Sequence, residues 1–289
     1  MKYGLNVPNI DLGGGALTLA ELARDAEEAG WDAFLLEDYI VHHSASAAPT
    51  CDPWIALAAI ALGTEHIRIG TEVTPLSRRR PWKLARETVT LDRLSRGRLI
   101  LGVGLGDLND TGLAHVGEVT DPSQRARMLD EGLDVLVGLW SGQSFNYTGR
   151  HYQVEAVKFQ PTPMQRPRIP IWVGGSWPRH RPLERAARWD GFCVYKATVD
   201  GSWADLTPDE VRSIKTSIEA VRSTPTPFDI VLGGRERGTS SEQERALIRS
   251  VAEAGGTWWI EYLPAGDVEA MRAWIKRGPL RVDVKETKL

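Results

Sequence analysis

The chain has 289 residues, 42% hydrophobic and 25% charged, with 28 Gly, 17 Pro and a net charge of −3. That is ordinary globular composition, which excludes a disordered tail, a fibrous repeat and a disulfide-stapled mini-domain. It also provides no global field to hold nucleic acid or an anionic membrane. Two cysteines, Cys51 and Cys193, cannot make a disulfide framework. The longest apolar run, 55–63, is nine residues, about half of the ~20 a membrane span needs. With no signal-peptide pattern at the N-terminus, the expectation is a cytoplasmic protein that binds neither nucleic acid nor membrane.

In chain order, β-rich apolar runs occur at 2–7, 33–36, 67–71, 99–103, 169–173, 191–195, 229–232 and 257–261. Continuous apolar runs of this length suit strands buried on both faces. Helical patterns alternate with them. The first, over 18–29, ends at Gly30. Asp52-Pro53 opens the second, with Asp as N-cap and Pro in the first helical position. Asp121-Pro122-Ser123-Gln124 and Thr207-Pro208-Asp209-Glu210 read as capping boxes. Behind the first of these, Leu129, Leu133, Leu136 and Trp140 mark one apolar face. A last helix is expected over 267–276.

Eight strand–helix units with no break in composition predict an α/β fold, a closed (β/α)8 TIM barrel forming a single domain over 1–289. An open doubly wound sheet is the alternative. Residues 141–168 do not fit the repeat. Tyr147-Thr148-Gly149-Arg150-His151-Tyr152 reads as a hairpin turn, so a hairpin-like insertion, either a lid, a subunit contact or a plain surface hairpin, is expected before strand 5.

In such a barrel, residues just beyond each strand face the active site. They are Asn6, Asp38 with Tyr39, Glu72 with Thr74, Asp107, Ser176 with Trp177, Lys196 and Glu261, with His42 and His43 in the second loop. The chain has no metal-ligand spacing, nucleophile elbow or Walker loop, so the chemistry is expected to belong to an organic cofactor rather than to a metal or a hydrolytic triad. Gly102-Val103-Gly104-Leu105-Gly106-Asp107 resembles a dinucleotide fingerprint but lacks a helix directly behind it. Gly174-Gly175-Ser176-Trp177 follows a strand, and its N–H groups and hydroxyl suit a phosphate, with Arg179, His180 and Arg181 adding charge nearby. Residues 78–98 hold eight basic side chains against two acidic ones, and the run Arg78-Arg79-Arg80 is placed to meet an anion.

Several segments carry a resemblance. Ala29-Gly30-Trp31-Asp32-Ala33-Phe34, Asp52-Pro53-Trp54, Ile67 to Thr71 and Thr74-Pro75-Leu76 are similar to the bacterial luciferase-like superfamily of flavin- and F420-dependent oxidoreductases. So are the segments 79–87 and 91–98, Gly102-Val103-Gly104 and Pro170-Ile171-Trp172-Val173-Gly174-Gly175. The match is dense from residue 1 to about 195. The resemblance implies a TIM barrel with reduced FMN, or alternatively F420, at the C-terminal face of the strands. It implies that the ring lies against the end of the third strand near Thr71, Glu72 and Val73, where relatives often have a non-proline cis peptide. The phosphate would rest on Gly174, Gly175, Ser176 and Trp177, with Asn6 also toward the cofactor.

The chain departs from the family pattern in three places. Tyr39 stands where dehydrogenases of the family have a functional His, Asp107 stands for their Glu, and Leu105 replaces a phosphate-contacting Arg. Asp38 is the first candidate for proton handling, its carboxyl raised toward neutrality if aromatic walls enclose it, with His42 and Asp107 as the others. Trp54, Trp177 and Tyr195 are expected in the pocket wall. The leading reading is a flavin-dependent monooxygenase that acts on a small organic substrate with reduced FMN. A separate flavin reductase and a homodimer contact are its compatible partners. The alternatives are an F420-dependent hydride transferase and a non-catalytic flavin-binding member.

Overall fold

The computed structural model describes residues 1–41, 48–107, 110–198 and 203–283. Twelve strands are formed among them: β1 (Lys2–Val7), β2 (Ala33–Leu36), β3 (Arg68–Thr71), β4 (Thr74–Pro75), β5 (Leu99–Gly104), β6 (Ser144–Thr148), β7 (Gln153–Lys158), β8 (Ile171–Trp177), β9 (Gly191–Ala197), β10 (Trp203–Ala204), β11 (Asp229–Arg235) and β12 (Trp258–Tyr262). The helices are α1 (Ala16–Glu28), α2 (Pro53–Gly63), α3 (Pro81–Leu94), α4 (Thr111–Ala114), α5 (Pro122–Trp140), α6 (His180–Ala187), α7 (Pro208–Val221), α8 (Ser241–Glu253) and α9 (Val268–Ile275). No helix among the described residues is long and apolar enough to cross a membrane.

Eight strands pair in parallel in the order β1–β2–β3–β5–β8–β9–β11–β12, and β12 pairs back onto β1. The predicted (β/α)8 barrel is formed, and closure leaves no free edge. Sequence chemistry accounts for the outer helices. Asp52 caps α2 by accepting the Ile55 N–H at 2.9 Å. Thr207 and Glu210 close both halves of their box at α7, whereas at α5 the Asp121 half is formed, with its Oδ1 accepting the Gln124 N–H at 2.7 Å. Leu129, Leu133, Leu136 and Trp140 are buried as one face of α5.

The barrel interior is a separate core. Ala33, Leu35, Ile100, Trp172, Cys193, Val231, Trp258 and Ile260 fill it, with Trp172 and Trp258 edge to face at 5.0 Å. Side chains on successive strands thus stack in layers, as a filled barrel requires. Above the tryptophans the inward positions turn small or polar, and the core ends there.

The insertion is a hairpin. Tyr147 pairs with Val154 and Thr148 with Gln153 in the antiparallel β6–β7 ribbon. Its turn is tied to α5 through Glu131, whose carboxylate accepts the N–H groups of Arg150, His151 and Tyr152. Phe145 lies over Gly138 of the same helix, where a Cβ would come within 2.0 Å of the ring. The hairpin is therefore fastened to the outer helical layer, and none of residues 141–168 lines the cavity described below. Of the readings of the insertion, its position away from the cavity favours a surface hairpin over a lid.

Close approach of β3 to β5 fixes the site's floor. A Cβ on Gly102 would lie 1.9 Å from the Thr71 carbonyl oxygen, and one on Gly70 would lie 2.0 Å from that of Ile100. Backbone cannot move away as a flexible side chain could, so only glycine fits either position. Gly102→Ala is expected to destabilise the fold by roughly 3 kcal/mol, read as a lowered midpoint in urea denaturation. An unchanged midpoint would mean the two strands are not held this close.

Candidate active site

At the C-terminal end of the barrel strands lies a cavity of about 650 Å³. That falls inside the range of roughly 300–1,000 Å³ usual for small-molecule and cofactor sites. Its floor is the rim of the inner core. Gly104 of β5 and Gly174 of β8 flank Val73, and Cβ atoms on them would lie 2.7 Å and 3.2 Å from the Val73 methyl carbons. Val73 therefore projects between two positions without side chains. The Glu72–Val73 peptide is cis, at the expected position. Asn6, Glu72 and Cys193 reach the cavity from β1, the end of β3, and β9.

Of the expected strand-end residues, Asn6, Asp38, Tyr39, Glu72, Val73, Asp107, Gly174, Gly175 and Ser176 line the cavity. Thr71 and Trp177 do not. Thr71 is fully buried behind the wall, its hydroxyl donating to the Gly102 carbonyl at 2.9 Å, and Trp177 packs against the outer core. Trp54 is likewise buried behind the wall, while Tyr195 lines it and stacks on Trp203 at 4.7 Å. Lys196 pairs with Glu210, and Glu261 with Arg237, both outside the cavity. His42 and His43 lie outside the described residues.

The phosphate segment also differs from its expected form. Gly174-Gly175-Ser176 is not a loop but the end of β8, paired in register with Cys193, Val194 and Tyr195 of β9. On the other side the ladder to β5 stops at Val173. Past that point β8 is open toward the cavity, so its backbone can still face a ligand.

Asp38 is a correction. Arg78 Nη2 donates to its Oδ1 at 2.8 Å, Arg79 Nη2 reaches both carboxylate oxygens at 2.8 and 2.9 Å, and Thr74 Oγ1 donates to Oδ2 at 2.8 Å. Arg78 also donates to the Asp38 carbonyl, and its Nη1 to Asp110 Oδ2 at 2.9 Å. Burial by itself would push the carboxyl up, but Arg79 and Arg78 outweigh it and hold Asp38 below the ordinary carboxylate range. A group so held is a poor base near neutrality. The same contacts correct the expectation for Arg78 and Arg79 of the basic run, whose charge is taken up by carboxylates inside the wall rather than by a ligand.

Glu72 behaves in the opposite way. Its Oε2 is sealed from solvent with no hydrogen-bond partner, and burial with the nearby Glu37 carboxylate outweighs a bond from the Cys193 thiol. The carboxyl is pushed up to about 7. Three lining guanidinium groups went unread or half-read in the sequence. Arg125 is buried, donates to the Gly106 carbonyl at 2.8 Å and has its Nε unpartnered. Arg185 is tied to Asp130, and Arg179, at the start of α6, is exposed. Helix position gave the only signal for Arg125, since it lies in the first turn of the helix that Asp121 caps.

A family model described as luciferase-like monooxygenase matches residues 8–225. The chain is 35% identical over 157 residues to an F420-dependent glucose-6-phosphate dehydrogenase of Microbacterium testaceum, covering 53% of this chain and 45% of that protein. It spans about half the length of the curated relatives of this kind that it matches. Among solved structures, an F420-dependent secondary alcohol dehydrogenase in complex with an F420-acetone adduct superposes with a TM-score of 0.75 at 16% identity, covering 97% of this chain and 99% of that one. Monooxygenase RslO1 from Streptomyces bottropensis superposes with a TM-score of 0.72 at 20% identity, covering 96% and 97%. At these identities the superpositions speak for the barrel alone.

Replacing Asp38 by Asn takes the carboxylate from Arg79 and leaves Arg78 with Asp110 alone. A loss of about 3 kcal/mol at pH 7 is expected. Because the native carboxyl titrates below its unfolded value of about 3.9, this contribution is full above that value and is lost as pH falls through the native one. Urea denaturation of both proteins should show the gap at pH 7 and a narrower gap near pH 3. A constant gap would mean the ion pairs do not hold Asp38 ionised.

Proposed function

The chain belongs to the luciferase-like monooxygenase family, and from that membership we propose that it is an oxidoreductase transferring a hydride between F420 and a small organic molecule. The observation that carries this reading is the cavity's chemistry: a floor of glycines around Val73, buried polar atoms without partners, and guanidinium groups on one wall. That set fits a flat, polar-edged ring with an anionic tail. The curated relatives named as F420-dependent tilt the choice toward the deazaflavin. Reduced FMN with O2 is the second reading, supported by the description of the family model itself.

Val73 with Gly104 and Gly174 would support the face of the ring. Gly175, Ser176 and Arg179 would hold phosphate, with Arg125 adding positive charge to the cavity lining. Bound F420 supplies a ring carbon that gives or takes a hydride. This chain's own part is to bind and orient, to exclude water with the Tyr195–Trp203 stack, and to move the accompanying proton. We assign that last role to Asp107, which lines the cavity just beyond β5.

Titration of the purified protein should give saturable F420 binding, followed by its fluorescence, and FMN binding at least about tenfold weaker. Tighter binding of FMN would overturn the cofactor choice in favour of the second reading. Ser176→Glu should weaken binding of either cofactor by about tenfold or more, because one hydrogen bond to charge is lost and like charge is added. Asp107→Asn should leave F420 affinity in place and slow single-turnover hydride transfer by about 10²-fold or more. An unchanged rate would remove Asp107 from proton transfer.

A further inference from the structure

The polar floor of the cavity contains an arrangement that the hydride-transfer reading does not use. Asn6, Glu37 and Glu72 come from three consecutive staves, at β1 and just beyond β2 and β3, and Cys193 faces them from β9. Asn6 is buried and its Oδ1, which can only accept, has no hydrogen-bond partner. Glu72 Oε2 is equally sealed and equally unpartnered. Buried polar atoms in this state are uncommon because each one forfeits its hydration. Two of them on the floor of one cavity point to a ligand that carries the missing groups.

An ionised Glu72 would add a second bare acceptor to the floor that holds Asn6, and both could be satisfied only by donors. A neutral Glu72 presents an O–H donor instead. The floor then offers one acceptor from the end of β1 and one donor from beyond β3, a combination that suits the N–H and C=O of an imide edge. Flavin and deazaflavin rings both end in such a uracil-like edge. We propose that Glu72 in its protonated form, together with Asn6, is the receptor for the imide edge of the cofactor ring, so that cofactor affinity depends on keeping this one carboxyl neutral. The Asn6 Oδ1 accepts the ring N–H, and the Glu72 O–H donates to a ring carbonyl.

The surroundings favour the neutral form. The ionisable groups that act on Glu72 are the Glu37 carboxylate beside it and the Cys193 thiol across the barrel. Burial and Glu37 raise the carboxyl, and the thiol partly opposes them by donating to the carboxylate. Cys193 itself is pushed well above the ordinary thiol range and stays protonated as a donor. Tyr262, on β12 near Glu37, is also raised and remains neutral. In the connection between β4 and α3, Arg78 and Arg79 are committed to Asp38 and Asp110. Cys193 therefore acts as a positioning residue that lowers the Glu72 carboxyl against the larger effect of burial.

The inference rests on a ring cofactor occupying this cavity but not on which one, since F420 and FMN share the edge. The test is equilibrium binding of each across pH 5.5–9, for the wild type and for Glu72→Gln, which keeps an acceptor and a donor but cannot ionise. The ratio of the two affinities cancels any ionisation belonging to the ligand. It should be flat below about 7 and fall close to tenfold per pH unit above it. Cys193→Ala should move that midpoint upward, because the bond that stabilises the carboxylate is gone, and Cys193→Ser should restore it. Infrared difference spectra of the ligand-free proteins should show a protonated-carboxyl band at pH 6 that vanishes by pH 9 and is missing in Glu72→Gln. A pH-independent ratio, or a carboxyl already ionised at pH 6, overturns the proposal. If F420 fails to bind while FMN follows the expected profile, the F420 reading falls and this inference stands.

Discussion

A parallel eight-stranded barrel must fill its own interior, and the level at which filling stops decides everything above it. Here the lower layers are closed by Trp172 and Trp258 with Leu35, Ile100, Val231 and Ile260. One level higher the inward positions are Asn6, Glu72, Gly104, Gly174 and Gly233. Small and polar residues cannot complete another apolar layer, so about 650 Å³ stays open at the strand ends. Just below it, β3 and β5 approach too closely for a Cβ at Gly70 or Gly102.

Electrostatics then divides the carboxylates of the rim into two kinds. Asp38 and Asp110 are taken up by Arg78 and Arg79, which makes a rigid, neutralised wall beside the second and third strand ends. Glu72 meets another carboxylate rather than a cation, and is raised. The same burial that destabilises both charges is answered by ion pairing in the first case and by protonation in the second. One arrangement builds the scaffold and the other leaves a titratable group near neutrality facing the cavity.

Much of the fold was legible in the sequence because its signals are local. Uninterrupted apolar runs marked all eight barrel strands, and Asp-Pro and Thr-Pro pairs marked three helix starts. The site was less legible because its chemistry depends on distant partners. Arg78 and Arg79 form a visible basic run, but the carboxylate that neutralises them is 40 and 41 positions away. Asp38 could be placed at a strand end without any sign that two guanidinium groups would hold it ionised. Glu72 was marked for the backbone it belongs to, and its titration depends on Cys193 and Glu37 across and beside it. Thr71 and Trp177 were displaced from the wall for a geometric reason, since side chains alternate along a strand and theirs point away from the interior.

The central claim is that the open level above the inner tryptophans receives a ring whose face rests on Val73 and whose polar edge meets Asn6 and Glu72. A crystal structure of the protein grown with F420 or FMN, at a resolution that orients the ring, measures this directly. The expected result is ring density over Gly104, Val73 and Gly174, with the imide edge within hydrogen-bond distance of Asn6 Oδ1 and the Glu72 carboxyl and the phosphate toward Ser176. Density for the ring outside the barrel mouth, or a ring turned so that its imide edge faces solvent, would contradict it.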